Sequence, residues 1–351
     1  MRGYGKEMKK FKEYYVPFVF LILSVIGIIA ANVSSGFILG ELYSRFVRNS
    51  LFLLALLLPI MVGMGINFSI TVGALSAQMA MIMVVDLGLL NITGMFVAVV
   101  LSLIISFFLG NVIGYLLNKA KGKEMIASIV IGLLGTNIYQ LIFMVGYGTV
   151  IKPFNEDILL VRGIGVKSML DAMPLAKLGN SILPIEIGNV SGSMLPIIII
   201  IFITLIVYFI SNSKHGYHAR AVGDNMILAE KHGIDVDKTR KTSIVISTML
   251  AALGQLMYVQ NFGIVNVYTG HLNLDVFSAA ALLAGGATFK RASIKNVYIG
   301  LFLFHTLFIV SPIAGQNMFQ NQAIGEYFRT VVAYGTIVFA LMINLKNEKL
   351  R

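Results

Sequence analysis

The chain has 351 residues, 57% hydrophobic and 12% charged, with a mean hydropathy of +0.85. Globular chains carry about 45–50% apolar and about 25% charged residues, so a pair of soluble domains is excluded, and repeated uncharged runs of about 20 residues identify a polytopic membrane protein. Zero Cys removes disulfide scaffolds, thiolate metal sites and cysteine nucleophiles, five scattered His make no metal-site pattern, and the net charge of +11 must be sorted by membrane side before it can suggest nucleic acid.

In chain order, the first run covers residues 14–40 and follows Arg2, Lys6, Lys9, Lys10 and Lys12. Its apolar stretch is too long for a signal-peptide core, and residues 32–35 lack a small-x-small cleavage pattern, so a retained first helix is predicted. Further runs at about 50–64, 70–85, 92–117, 125–145, 194–210, 243–259, 276–288, 297–310 and 327–343 bring the predicted spans to ten. Assigning alternate sides puts the N-terminus, the junction at Asn67, 118–124, 211–241, 289–295 and 346–351 together, and these hold 20 of the 27 Lys and Arg. The basic excess therefore marks the cytoplasmic face, with both termini inside, and implies no nucleic-acid partner. The outside segments hold Arg45, Arg48, Lys152, Arg162, Lys167 and Lys177, with Arg329 at the start of the last span.

Two spans read as short or broken. Residues 63–73, Gly-Met-Gly-Ile-Asn-Phe-Ser-Ile-Thr-Val-Gly, form an uncharged junction, and the run 276–288 is brief and ends at Gly285-Gly286. Irregular backbone at membrane depth is tolerated where it is buried in protein or lines a path, so both are pathway candidates. Ile66-Asn67-Phe68-Ser69-Ile70 also aligns with Leu272-Asn273-Leu274-Asp275-Val276, and the two are predicted to insert from opposite sides, as an inverted repeat requires.

Two long polar segments remain. Residues 146–193 are predicted to form an extracytoplasmic loop in which Met169, Leu170, Met173, Leu175 and Ala176 make a short amphipathic helix on the outer interface, a landing surface for an external partner. Residues 213–241 contain Asp224 or Asn225 as an N-cap, two helical turns over 226–232 and Gly233 as a stop. A short helix capped at both ends between two spans suits docking to a separate subunit.

The pattern Gly216, Ala221-x-Gly223-x-Asn225, Gly233-Ile234-x-Val236-x-Lys238 resembles the cytoplasmic coupling loop of ribose/galactoside-type ABC sugar permeases. Gly65-Ile66-Asn67-Phe68-Ser69-Ile70 is similar to that family's Gly-Ile-Asp-Leu-Ser-Val element, and the stretch from Tyr268-Thr269-Gly270 through Leu274-Asp275-Val276 to Gly285-Gly286 is similar to its second element, in the same order across almost the whole chain. Asn67 stands where an acid is common, and Phe289-Lys290-Arg291-Ala292-Ser293 replaces the glycine-rich continuation. The resemblance implies an all-α permease domain over 1–351, with a type II importer-like inverted repeat, in a bacterial inner membrane. It also implies a second permease copy, identical or homologous, a cytoplasmic ABC ATPase that carries the ATP and Mg, and an extracytoplasmic solute-binding protein. The coupling residues it implies are Gly216, Ala221, Gly223, Asn225, Ala229 and Gly233.

The chain itself has no G-x-x-x-x-G-K-[S/T] loop and no catalytic constellation, so it is predicted to bind no cofactor and to be no enzyme. Polar residues within spans are costly unless they face a cavity or a partner. On that basis Asn67, Ser69, Asn137, Asn261 and Asp275 are path candidates, with Gln140, Gln255 and Gln260 beside them, while Tyr139, Phe262 and Phe277 are candidates to stack on the apolar face of a sugar. Ser69 and Asp275 also suit helix caps, and Asn137 and Gln255 suit interhelical bonding. His305 reads as a packing residue. Few charged groups fall within the predicted spans, which favours a small neutral solute; the resemblance implies a pentose or hexose, with nucleosides, autoinducer-type sugars and branched-chain amino acids as alternatives. An ion-coupled secondary transporter using Asp275 is the alternative of a different class.

Overall fold

The structure, a computed structural model, describes the backbone of residues 2–187 and 190–348 and the side chains of 15–186, 192–321 and most of 323–342. The basic residues Arg2, Lys6, Lys9, Lys10, Lys12, Lys346, Lys349 and Arg351 lie outside the residues whose side chains are described. The helices in order are α1 (Arg2–Ala31), α2 (Ser35–Ala55), α3 (Leu57–Met61), α4 (Ile70–Asp86), α5 (Ile92–Lys119), α6 (Glu124–Leu141), α7 (Met173–Ser181), α8 (Met194–Ser211), α9 (Lys214–Asp224), α10 (Met226–Lys231), α11 (Val236–Phe262), α12 (Leu274–Ala284), α13 (Ile294–Phe319) and α14 (Gln322–Glu348). Two small antiparallel ribbons join β1 (Met169–Asp171) to β4 (Ile264–Asn266) and β2 (Pro184–Ile187) to β3 (Val190–Ser193). The protein is an all-α polytopic membrane protein. Among the described residues six stretches, including Ser35–Met61 and Val236–Phe262, are long and apolar enough to cross a membrane, and Tyr15–Ala31, Ile70–Asp86 and Leu274–Ala284 are shorter apolar helices.

The first predicted run divides. Asn32 adopts a left-handed conformation (φ 48°), and Ser34 caps the next helix by accepting from the Phe37 N–H at 3.2 Å. The second span consequently begins at Ser35, well before the predicted residue 50, and it places Arg45 and Arg48 inside a helix where an outside loop was expected. The charges had ruled that stretch out as a span, yet cationic side chains persist in spans when the bundle shelters them. The predicted amphipathic helix is α7; it starts at Met173, because Met169–Asp171 is drawn into the ribbon with β4, and it buries Leu175 and Ala176.

At the centre, α11 packs against α2, α4 and α5. Close approach comes from small residues: Ala98, Ser102, Ser106, Gly110 and Gly114 recur every fourth position on α5 and are buried. A methyl group at Gly110 would stand 3.0 Å from the Val245 Cα of α11. Without a hydrophobic drive between helices in lipid, such stripes let backbones meet and gain dispersion contact. The opposite faces of α5, α6 and α8 expose Phe96, Phe108, Leu133 and Phe209, an apolar surface of the kind a membrane protein turns toward lipid.

The polar segments gather at two ends. At one, the Asn118 side chain donates to the Asp237 carbonyl at 2.8 Å, Lys121 pairs with Asp237 at 2.6 Å, and the 62–69 segment lies against Gly223, Met125 and Phe289. At the other, Asp86 accepts from the backbone N–H of Phe154 (2.9 Å) and Asn155 (3.0 Å), and Tyr43 donates to the Ser193 carbonyl at 2.7 Å. The repeat extends beyond the breaks. Moved 206 positions along the chain, the offset that sets Ile66 on Leu272, α2 falls within α11, α4 on α12, α5 on α13 and α6 on α14. The 62–69 break opens at the first end and the 263–273 segment at the second, so the two units are inverted.

Candidate translocation path and coupling site

The first break is built on Gly63 (φ 81°) and Gly65 (φ 72°), conformations that favour a residue without Cβ. Asn67, buried, then closes the turn: its Oδ1 accepts from the Ser69 N–H at 3.1 Å and from the Ser69 hydroxyl at 2.5 Å, and its Nδ2 donates to Ser247 of α11 at 3.3 Å. Ser69 occupies the cap position of α4 but bonds no helix N–H with its side chain; Asn67 satisfies its amide instead. The second break turns through Asn273, left-handed at φ 60°, and Asp275 accepts from the Val276 N–H at 2.8 Å. Asp275 lies within reach of the Thr71 hydroxyl, so the N-terminal turns of α4 and α12 meet. Asn67, Ser69 and Asp275 are therefore gathered around the junction of the two half-spans.

The other candidates disperse. Asn137 is exposed and donates to the Leu133 carbonyl of its own helix at 2.8 Å, so it faces away from the junction. Tyr139 is fully buried beside Phe143 and His271, in a polar cluster with Gln78 and Gln255 that holds the 263–273 segment; His271 Nδ1 lies 3.1 Å from Gln78 Oε1, and the amides of Gln78 and Gln255 donate to the carbonyls of Asn266 and Gly270. Asn261 is half-buried at the end of α11, and Phe262 is partly exposed beneath the Arg48 guanidinium, 4.5 Å from the ring centroid. Gln140 is half-buried, and Gln260 donates to Asn180 at 3.3 Å.

Phe277 does line a cavity of about 200 Å³, together with Arg45, Arg48, Tyr258, Thr269 and His305, at the end of the bundle that carries the β1–β4 ribbon. Sequence reading missed these arginines because they counted as loop charges. The signal available was Glu41, Arg45 and Arg48 recurring on one helical face. A larger groove of about 540 Å³ runs along α14 from Thr330 to Met342, but its walls belong to one helix and enclose nothing. Below the cavity the chain is closed: a Cβ on Gly63 would stand 2.9 Å from the Gly223 Cα, and Asn67 and Ser69 are buried.

At the opposite end lies the 213–241 segment. Asn225 caps α10 by accepting from the Leu228 N–H at 3.0 Å, Gly233 follows at φ 78°, and Asp235 caps α11 by accepting from the Lys238 N–H at 2.9 Å. The preceding α9 was not anticipated; it buries Gly216 and Ala219 and brings Ala221 and Gly223 against the first break, where the Gly223 backbone meets the Met61 carbonyl. Ala229 turns inward, while Ile227 and Leu228 are exposed at 69% and 53%. One buried side chain ties the region together. Arg240 donates to Glu124 Oε1 at 2.6 Å and to Asn118 Oδ1 at 2.9 Å, and its third nitrogen lies 3.4 Å from Met226 Sδ, so it joins the ends of α5 and α6 to α10 and α11. His215 lies 3.2 Å from the Ser243 hydroxyl, and burial, with His218 nearby, holds its imidazole below the usual histidine range. Among the described residues no three His, Asp or Glu side chains group as a metal site.

Residues 46–343 match the family model described as the branched-chain amino acid transport system permease component. The chain belongs to this permease family. The permease is 25% identical to the xylose transport system permease protein XylH of Haemophilus influenzae over 166 residues, 46% of this chain and 42% of that one. It is 31% identical to the autoinducer 2 import system permease protein LsrC of an Enterobacter species over 105 residues, 30% of each chain. It is 24% identical to the high-affinity branched-chain amino acid transport system permease protein BraD of Pseudomonas aeruginosa over 161 residues, 45% of this chain and 48% of that one. The matched segments thus span about half or less of these relatives. No solved structure matches the permease.

Proposed function

We propose that the chain is the membrane-spanning subunit of an ATP-driven importer in a bacterial inner membrane, with its termini and the 213–241 segment in the cytoplasm. A separate ABC ATPase docks on α10, an extracytoplasmic binding protein delivers solute to the opposite end, and a second permease copy, the same chain or a homologue, completes the membrane part. The observation that carries this reading is α10: capped at both ends, it presents Ile227 and Leu228 outward, and it is clamped through Arg240 to the ends of three long helices. A push on α10 is thereby delivered to α5, α6 and α11 as a unit, while Gly223 transmits it to the first break. With a cavity at the far end and packed helices below it, the conformation suits solute arriving from outside before the path closes behind it.

The solute class we infer is a small polar molecule of the sugar type, supported by the xylose and autoinducer 2 relatives. The expectation of a neutral solute rested on the scarcity of charge within the spans, and the placement of Arg45 and Arg48 in α2 removes that basis. Liposomes holding the chain, its ATPase and its binding protein should accumulate a member of a panel of pentoses, hexoses, their acids and nucleosides when ATP is supplied. Accumulation of a branched-chain amino acid alone would contradict the sugar-type assignment.

A further inference from the structure

The cavity under the 263–273 segment contains more positive charge and more unpartnered polar atoms than packing explains. Arg45 and Arg48 lie on one face of α2 and enter its wall. Neither guanidinium makes an ion pair among the described residues; Glu41, one turn before Arg45, is the carboxylate whose field reaches both. Arg48 Nε donates to the Ser44 carbonyl at 3.0 Å, but Arg45 Nε has no hydrogen-bond partner among the described residues. His305, 3% exposed, has no hydrogen-bond partner at either ring nitrogen among the described residues. Native structures satisfy nearly all buried polar atoms, and orphans grouped on one cavity point to an absent ligand. The space, about 200 Å³ against about 30 Å³ per water molecule, exceeds a single bridging water. Phe277 and Phe308 supply apolar ring faces, and the Arg45 guanidinium sits 5.2 Å from the Phe308 centroid.

We propose that this cavity holds an anionic group of the transported solute, a carboxylate or a phosphate ester, between Arg45 and Arg48. Paired guanidinium forks match the geometry of such groups, and a neutral sugar alone would not offset two sheltered charges. His305 and Tyr258 supply further hydrogen bonds, and the Phe277 ring covers the apolar face of the attached sugar. This rests on the permease reading and narrows its solute to a sugar-type acid or phosphate.

The test uses the full chain in phosphatidylcholine nanodiscs, with thermal unfolding measured against galacturonate, galactose, ribose 5-phosphate and ribose. At least one acidic probe should raise the midpoint at concentrations where its neutral parent does not, and added salt should weaken the effect. Arg45→Gln and Arg48→Gln should each weaken that response at least about tenfold, while Lys152→Gln in the exposed loop should leave it intact. Equal response to acid and neutral parent, no response to any probe, or unchanged response in both arginine variants overturns the proposal. Stabilisation by phosphatidylglycerol discs in place of the soluble acids would assign the cavity to a lipid headgroup and also overturn it. ATP-driven uptake of a neutral sugar at wild-type rate in Arg48→Gln transporters would end this proposal and leave the permease reading standing. Acid binding as expected, with no ATP-driven uptake of any solute, would instead end the permease reading.

Discussion

Replacing Arg240 with alanine is expected to destabilise the protein by about 3–5 kcal/mol, because it leaves the Glu124 carboxylate buried without its partner. The pair is 2.6 Å apart, with the guanidinium fully buried and also donating to Asn118. A double variant, Arg240→Met with Glu124→Leu, fills similar volume without charge and should recover most of that loss. Transport should not recover with it. The apolar pair packs, but it no longer fixes the direction in which α10 is held relative to α5 and α6, so ATP hydrolysis and uptake should become uncoupled. Thermal unfolding of the purified variants, set beside uptake per ATP hydrolysed, separates the two effects. A single variant that unfolds within about 0.5 kcal/mol of the parent, the range of ordinary surface changes, would show that the clamp is not formed.

The second large effect is expected at the exposed face of α10. Ile227→Asp together with Leu228→Asp changes residues that touch solvent, so the unfolding midpoint should stay near that of the parent. Docking of the ATPase should nevertheless weaken by about 2 kcal/mol or more, roughly thirtyfold, if these side chains seat in a groove of that subunit as central interface anchors do. The check is co-purification of the ATPase with the variant, and a complex retained at parental yield would contradict the docking role.

The spans were legible where hydropathy alone decides them. The run at 194–210 and the helix Met194–Ser211 nearly coincide, and so do the run at 92–117 and Ile92–Lys119. The two breaks were legible as well, because Gly63, Gly65 and Asn273 mark backbone that helices avoid, and the helices that follow start beside them. The start of α2 was not: a turn at Asn32 without Gly or Pro looks continuous, and Arg45 and Arg48 look like loop charges until the helices that shelter them are in place. Facing was also hidden. Asn137 and Asn67 are equally polar residues in apolar surroundings, yet one bonds its own helix at the surface and the other bonds Ser247 inside the bundle. Polarity reports that a residue needs a partner, and only the packing of α4, α6 and α11 decides which one it finds. The Arg240 clamp shows the same limit, since Asn118, Glu124, Met226 and Arg240 are separated by up to 122 positions.

The central claim is that this chain moves solute only when a separate ATPase drives it through α10. Its most direct test is solute accumulation in sealed liposomes holding the chain alone or with its ATPase and binding protein, energised by ATP or by an ion gradient. Accumulation is expected only with all three components and ATP. Accumulation by the chain alone under an ion gradient would contradict it and return Asp275, at the junction of the two half-spans, to the role of an ion site.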